Sequence, residues 1–138
     1  MALDKIRVNK ELKFICENIK KLEILNRLEE EVFFKDFKNI DSTKYIFLET
    51  INSVLDLFNY IIVSKELDLP ENLERTFIVL KENNLIGDIE FEEYLDLVRL
   101  RDRILFNYIN IDDESIFKEL KGTILKLKNI KRHLELLK

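Results

Sequence analysis

Two glycines and one proline in 138 residues constrain this chain more than any other feature. Sheets need a turn every few residues, and turns draw on Gly and Pro. A chain with three such residues has to run in long helices joined by few breaks. The rest of the composition agrees. Apolar residues make up 46% and charged residues 36%, interspersed rather than in blocks. That is the mixture that amphipathic helices need for one buried and one wet face. At this length a single domain spanning residues 1–138 is expected.

Apolar spacing locates the helices. Leu12, Ile15, Ile19, Leu22, Leu25 and Leu28 recur at steps of three and four, predicting a helix from about Asp4 to Glu31. Val32, Phe33, Phe34 and Phe37 then read as a tight aromatic connection. A second long helix should start near Asp41 or Ser42, either able to cap it, and carry Tyr45, Leu48, Ile51, Leu55, Phe58 and Ile62 inward as far as Leu67. Asp68 to Asn72, with Pro70 at its centre, is the clearest break. A short helix over Leu73 to Asn83 should bury Phe77 and Leu80. In the turn that follows, Gly87 is placed to take positive φ and Asp88 to cap the next helix. That helix, about Ile89 to Leu105, presents Phe91, Tyr94, Leu95, Val98 and Leu105 to the core. The last, about Asp113 to Leu137, carries Ile116, Leu120, Ile124, Leu127, Ile130, Leu134 and Leu137, with Gly122 as a tolerated interruption. The fold expected is all-α: an antiparallel up-and-down bundle of about four main helices plus a short one.

Several function classes fall away. The net charge of −4 gives no whole-chain footprint for nucleic acid, although it leaves room for a local basic patch. One cysteine and one histidine cannot build a zinc site, and Cys16 reads as a buried, inert thiol. No cofactor motif is present. Met1 to Lys10 lack the apolar run of a signal peptide, and no apolar run approaches the roughly 20 residues of a membrane span. A cytoplasmic protein away from membranes is expected.

The stretch that carries chemistry is Leu100-Arg101-Asp102-Arg103-Ile104-Leu105-Phe106-Asn107-Tyr108. Three charges in a row stand near the end of an apolar helix. Were the helix to run through Tyr108, seven steps would return it to within about 20° of Arg101. This stretch resembles the HepT-like proteins of the HEPN superfamily, whose motif is Arg, four to six residues, His, any residue, Tyr. Arg101-Asp102 matches its start and Tyr108 its final tyrosine. The resemblance extends to the helix and leucine-isoleucine turn of Pro70 to Ile86 and to the link Tyr108 to Asp112.

The resemblance implies a homodimeric, metal-independent RNase that cuts RNA at a site assembled across the dimer. It also implies a partner, an MntA-type nucleotidyltransferase antitoxin, that modifies the motif tyrosine with AMP. Carried onto this chain, Arg101 would supply the cation for phosphate, Asp102 would orient or neutralise its neighbours, and Tyr108 would be the AMPylation target. Phe106 stands at the histidine position. A phenyl ring moves no proton, so the resemblance implies RNase ancestry with the general acid-base group lost. Three readings follow. One is a HepT-like toxin-antitoxin component with weak or no activity. Another is a non-catalytic binding subunit of a nucleotidyltransferase. The third is a plain helical interaction protein, in which Arg101 and Tyr108 share no groove. His133, beside Lys131 and Arg132, reads as a structural or bland residue at a solvated helix end, and Arg103 as a surface pairing residue.

Overall fold

The computed structural model describes residues 4–137. Its elements are α1 (Lys5–Asn26), α2 (Glu30–Lys35), α3 (Phe37–Ser64), a 3₁₀ turn (Leu73–Arg75), α4 (Thr76–Glu82), α5 (Asp88–Phe106) and α6 (Asp113–Leu137). The four long helices α1, α3, α5 and α6 run up, down, up and down. Contacts fix the sense: Asp4 meets Tyr60, Asn18 meets Thr50, Asn52 meets Arg101, and Asp96 meets Lys126. The all-α antiparallel bundle predicted from spacing is therefore the fold.

α3 lies at the centre and is the most apolar element. Ile51, Val54, Leu55, Leu57, Phe58, Ile61 and Ile62 are almost fully shielded from solvent. By length and composition alone it would pass for a membrane span. Its apolarity instead serves the core, because it packs against α1, α5 and α6 together. One cluster joins these residues to Ile15, Leu22, Tyr94, Leu120, Leu127 and Leu134 from the surrounding helices.

Three helix ends and one connection differ from the sequence reading. α1 stops at Asn26, not near Glu31, and its last turn closes on Arg27. The aromatic connection is itself a helix, α2, with Glu30 and Glu31 in its first turn and Lys35 in its last. Phe33 and Phe34 stack against Phe117 of α6, with ring centroids 4.8 and 5.4 Å away. α3 then starts at Phe37, capped by the Asp36 carboxylate accepting from the Lys38 N–H at 2.9 Å, rather than at Asp41 or Ser42. It ends at Ser64, short of Leu67.

The positive-φ residue of the α4–α5 turn is Asn84 (φ 58), not Gly87, which has φ −86 and is itself the N-cap residue. The left-handed position lies immediately past a helix C-cap, and α4 ends at Glu82, so the position falls on Asn84. Glu66 (φ 61) occupies the same place after α3, and in both turns the next N–H reaches back to close the helix. Among expected core residues, Tyr45 faces outward at 63% exposure, while Phe91, Leu95, Leu105 and Cys16 are only half-buried.

Candidate functional site

α5 carries the motif residues, and its end decides how they are used. Arg101 turns inward toward α3. Its Nε donates to Asn52 Oδ1 at 2.6 Å, and its Nη1 donates to Asp102 Oδ1 at 2.9 Å. The Arg101 side chain is only 12% exposed. The guanidinium is thus fixed in orientation by one neutral and one charged acceptor. Its remaining N–H groups have no acceptor among the described residues and are free for an incoming anion. Arg103 points elsewhere: its Nη2 donates to Glu119 Oε1 at 2.5 Å and ties α5 to α6.

The helix does not reach Tyr108. It ends at Phe106, and Asn107 leaves helical geometry (φ −132, ψ 32) while its N–H still bonds Arg103 O. Asn107 to Asn110 form a turn, held by Asn110 N–H to Asn107 O at 3.1 Å and by a side-chain bond between the two asparagines at 3.0 Å. Asp112 then caps α6 by accepting from the Glu114 N–H. The two-turn phase that would align Tyr108 with Arg101 therefore does not exist. Tyr108 instead stands on the turn at 66% exposure, between Phe106 at 73% and Ile109 at 82%. Lys44 of α3 pairs with Asp113 at 2.9 Å, which pins the link beside the first half of α3.

His133 is not at a solvated end. Its Nε2–H donates to the Leu85 carbonyl at 2.8 Å, which leaves Nδ1 to accept the Tyr94 hydroxyl at 3.3 Å. Its ring meets those of Phe58 and Tyr94 edge-on or tilted. The Tyr94 hydroxyl is pushed up to about 12, first by burial and then by the negative charges of Glu90 and Glu93. This cluster knits α6 to α5 and to the α4–α5 turn. Tyr94 precedes Arg101 by seven residues, roughly 10 Å along α5, so His133 sits too far away to replace the missing motif histidine.

Sequence reading brought Arg101, Asp102 and Tyr108 to one end of the bundle, and they are there, but only Arg101 and Asp102 touch. It missed Asn52. The available signal was a polar Asn-Ser pair inside the most apolar helix of the chain. A polar residue in such a stripe needs a partner, and Arg101 is that partner.

An up-and-down helical bundle with an anchored Arg-Asp pair near the end of its fifth helix, followed by an exposed tyrosine turn, has the layout of the HEPN class. The model of the family "Ribonuclease HepT-like" matches residues 15–134, and the chain belongs to that family. Solved structures share the fold. One is the tri-AMPylated HEPN toxin of Shewanella oneidensis in complex with its MNT antitoxin, with TM-score 0.86 and 18% identity over 97% of this chain and 99% of that one. Another is a tyrosine-to-alanine variant of the toxin-antitoxin MntA-HpeT, with TM-score 0.81 and 17% identity over 94% and 97%. A third is the cytosolic protein YutE of Bacillus subtilis, whose function is unknown, with TM-score 0.80 and 16% identity over 97% and 90%. No curated protein matches the chain.

Proposed function

We propose that this chain is the HepT-like component of a toxin-antitoxin pair, acting in the cytoplasm with an MntA-type nucleotidyltransferase as antitoxin. The observation that carries this reading is Tyr108. It stands at the motif position on an exposed turn, where a partner enzyme can reach its hydroxyl. A tyrosine kept for packing would bury its ring. The Tyr108 oxygen attacks the α-phosphorus of ATP, pyrophosphate leaves, and the phenolic proton passes to a base on the partner. The added phosphate brings charge and bulk to the α5–α6 link.

The test is co-expression with the nucleotidyltransferase, followed by co-purification and intact mass. The expected result is a stable complex, with this chain heavier by whole AMP units and the shift lost in Tyr108→Phe. A chain that neither associates nor gains mass overturns the proposal.

Arg101 and Asp102 are the inherited site. Arg101 is held ready to meet a phosphate, and Asp102 holds it there. Metal-independent cleavage also needs a group to take the ribose 2′-OH proton, and Phe106 cannot take it. This favours the second reading, a non-catalytic substrate- or partner-binding subunit of the nucleotidyltransferase. An RNA cleavage assay separates the two: Arg101-dependent cutting restores the enzyme, while RNA left intact under varied conditions supports the binding role. A homodimer is part of the proposal. A two-fold axis near the α5–α6 link would bring two Arg101 side chains to one cleft. Sedimentation of the isolated chain checks it, and a monomer at micromolar concentration rejects it.

A further inference from the structure

The charge of this acidic chain is unevenly spread. Between Lys118 and Arg132, α6 carries Lys118, Lys121, Lys126, Lys128, Lys131 and Arg132 against Glu119 alone. At 100° per residue, Lys118, Lys121, Gly122, Leu125, Lys128, Asn129 and Arg132 share an arc of about 120°. All seven are exposed. They form a ridge about 21 Å long on the outside of the bundle.

Beside the ridge, α5 and α6 enclose an open groove of about 610 Å³. Four cations line it: Arg99 and Arg103 from α5, Lys118 and Lys126 from α6. Two carboxylates face them. Asp96 pairs with Arg99 at 3.0 Å and Lys126 at 3.4 Å, and Glu119 pairs with Arg103. Lys118 and the neighbouring Lys121 have no ion pair among the described residues. Gly122 lies on the groove wall, and a Cβ built there meets nothing within 4 Å. At one end the groove opens onto the α5–α6 link. Phe106 lies three residues beyond Arg103, and Tyr108 two further on, both largely exposed.

We propose that this α5–α6 groove, on the opposite face of α5 from Arg101, binds the phosphate backbone of a single-stranded nucleic acid whose bases stack on Phe106 and Tyr108. A cationic track leading to exposed rings is the combination that grips single strands, since backbone charge and base faces are read together. A duplex has no free base faces to offer those rings. An acidic protein segment would use the lysines and leave the rings without a role. That the strand is RNA rests on the ribonuclease-family reading; the groove itself does not depend on it. The same geometry gives modification of Tyr108 a consequence, because AMP there would set negative charge at the groove mouth.

The experiment is fluorescence anisotropy of the full chain with a labelled oligouridylate of about ten nucleotides, and with oligothymidylate beside it, as salt rises from about 50 to 200 mM. Binding should weaken with salt, with a slope of about −0.7 per phosphate neutralised. Lys118→Glu combined with Gly122→Glu should lower affinity at least about tenfold and flatten that slope. Both positions are exposed, a Cβ at position 122 meets nothing, and circular dichroism checks that the variant is folded. Gly122→Ala should bind as the parent does. Tighter binding of RNA than DNA supports RNA as the strand, and equal binding overturns that assignment while keeping the groove. Undiminished binding by the double variant overturns the groove, even if Arg101→Ala abolishes binding. If the parent binds neither oligonucleotide, the inference fails while co-purification and Tyr108 modification stand untouched. If the double variant loses the nucleotidyltransferase instead, the groove is a protein docking surface and the inference is overturned.

Discussion

The two ends of α5 use aromatic and polar residues in opposite ways. Near its start, Tyr94 is 1% exposed, its ring packs 5.2 Å from Phe77, and its hydroxyl meets His133. The other His133 nitrogen closes on the Leu85 carbonyl. Every polar atom of that cluster has a partner within the fold. At the far end, Arg101 is anchored, but the chain then leaves the helix and sets Phe106, Tyr108 and Ile109 in solvent. A single exposed apolar residue needs no explanation. Three within four residues mark a surface meant to be covered. One helix therefore serves the core at one end and presents a surface at the other.

The sharpest way to break this comparison is truncation at the buried end. Tyr94→Ala removes a ring packed against Phe58, Phe77 and His133, and should cost about 3–5 kcal/mol in denaturant unfolding. Phe106→Ala should stay within about 0.5 kcal/mol. Equal losses at the two positions would erase the contrast.

The next effect comes from pH. Tyr94 ionises at about 12 in the folded chain against an ordinary 10.0, so folding opposes its charged form. The stability that its neutral form supplies is complete below pH 10 and is lost as pH climbs from 10 to 12. The loss should reach about 2–3 kcal/mol. Tyr94→Phe starts less stable but should lose that much less over the same interval. Parallel curves for parent and variant would mean that the hydroxyl is wetter than its burial indicates.

Smaller again is the Arg101 anchor. Arg101→Ala removes two charge-assisted bonds and leaves Asn52 and Asp102 without their donor, at a cost of about 1–2 kcal/mol. A double-mutant cycle with Asn52→Ala should show coupling of about 1 kcal/mol. No coupling would mean that Asn52 does not orient the guanidinium.

Much of this contrast was legible in the sequence, but unevenly. Helical spacing from Ile116 to Leu137 predicted α6 and its buried face, because a period of 3.6 is strong over about six turns. Spacing could not find where α1 stops. Leu25 and Leu28 keep the period, while the chain leaves the helix past Arg27 and turns extended at Glu29 (φ −62, ψ 148), where no special residue announces a break. The site was legible as residue types. Arg101, Asp102 and Tyr108 stood out by charge and by their likeness to a known motif. What was hidden was conformation: whether α5 persists to Tyr108 depends on Asn107 leaving the helix. The structural role expected of His133 holds, but its surroundings were misread for a related reason. Its sequence neighbours are cations, but its spatial neighbours Tyr94 and Leu85 come from other elements.

The smallest stability effect belongs to the residue with the largest proposed role. Tyr108 Oη makes no hydrogen bond among the described residues, and its ring is mostly in water, so Tyr108→Phe should change stability by less than about 0.5 kcal/mol. The same substitution should abolish the AMP mass increments in the co-expressed chain. A silent unfolding curve joined to a lost modification separates function from fold at this end of α5, which no substitution at Tyr94 can do. If Tyr108→Phe instead destabilises the chain by as much as Arg101→Ala, the turn is part of the fold. Its exposure would then have to be explained by a contact made in the assembled dimer.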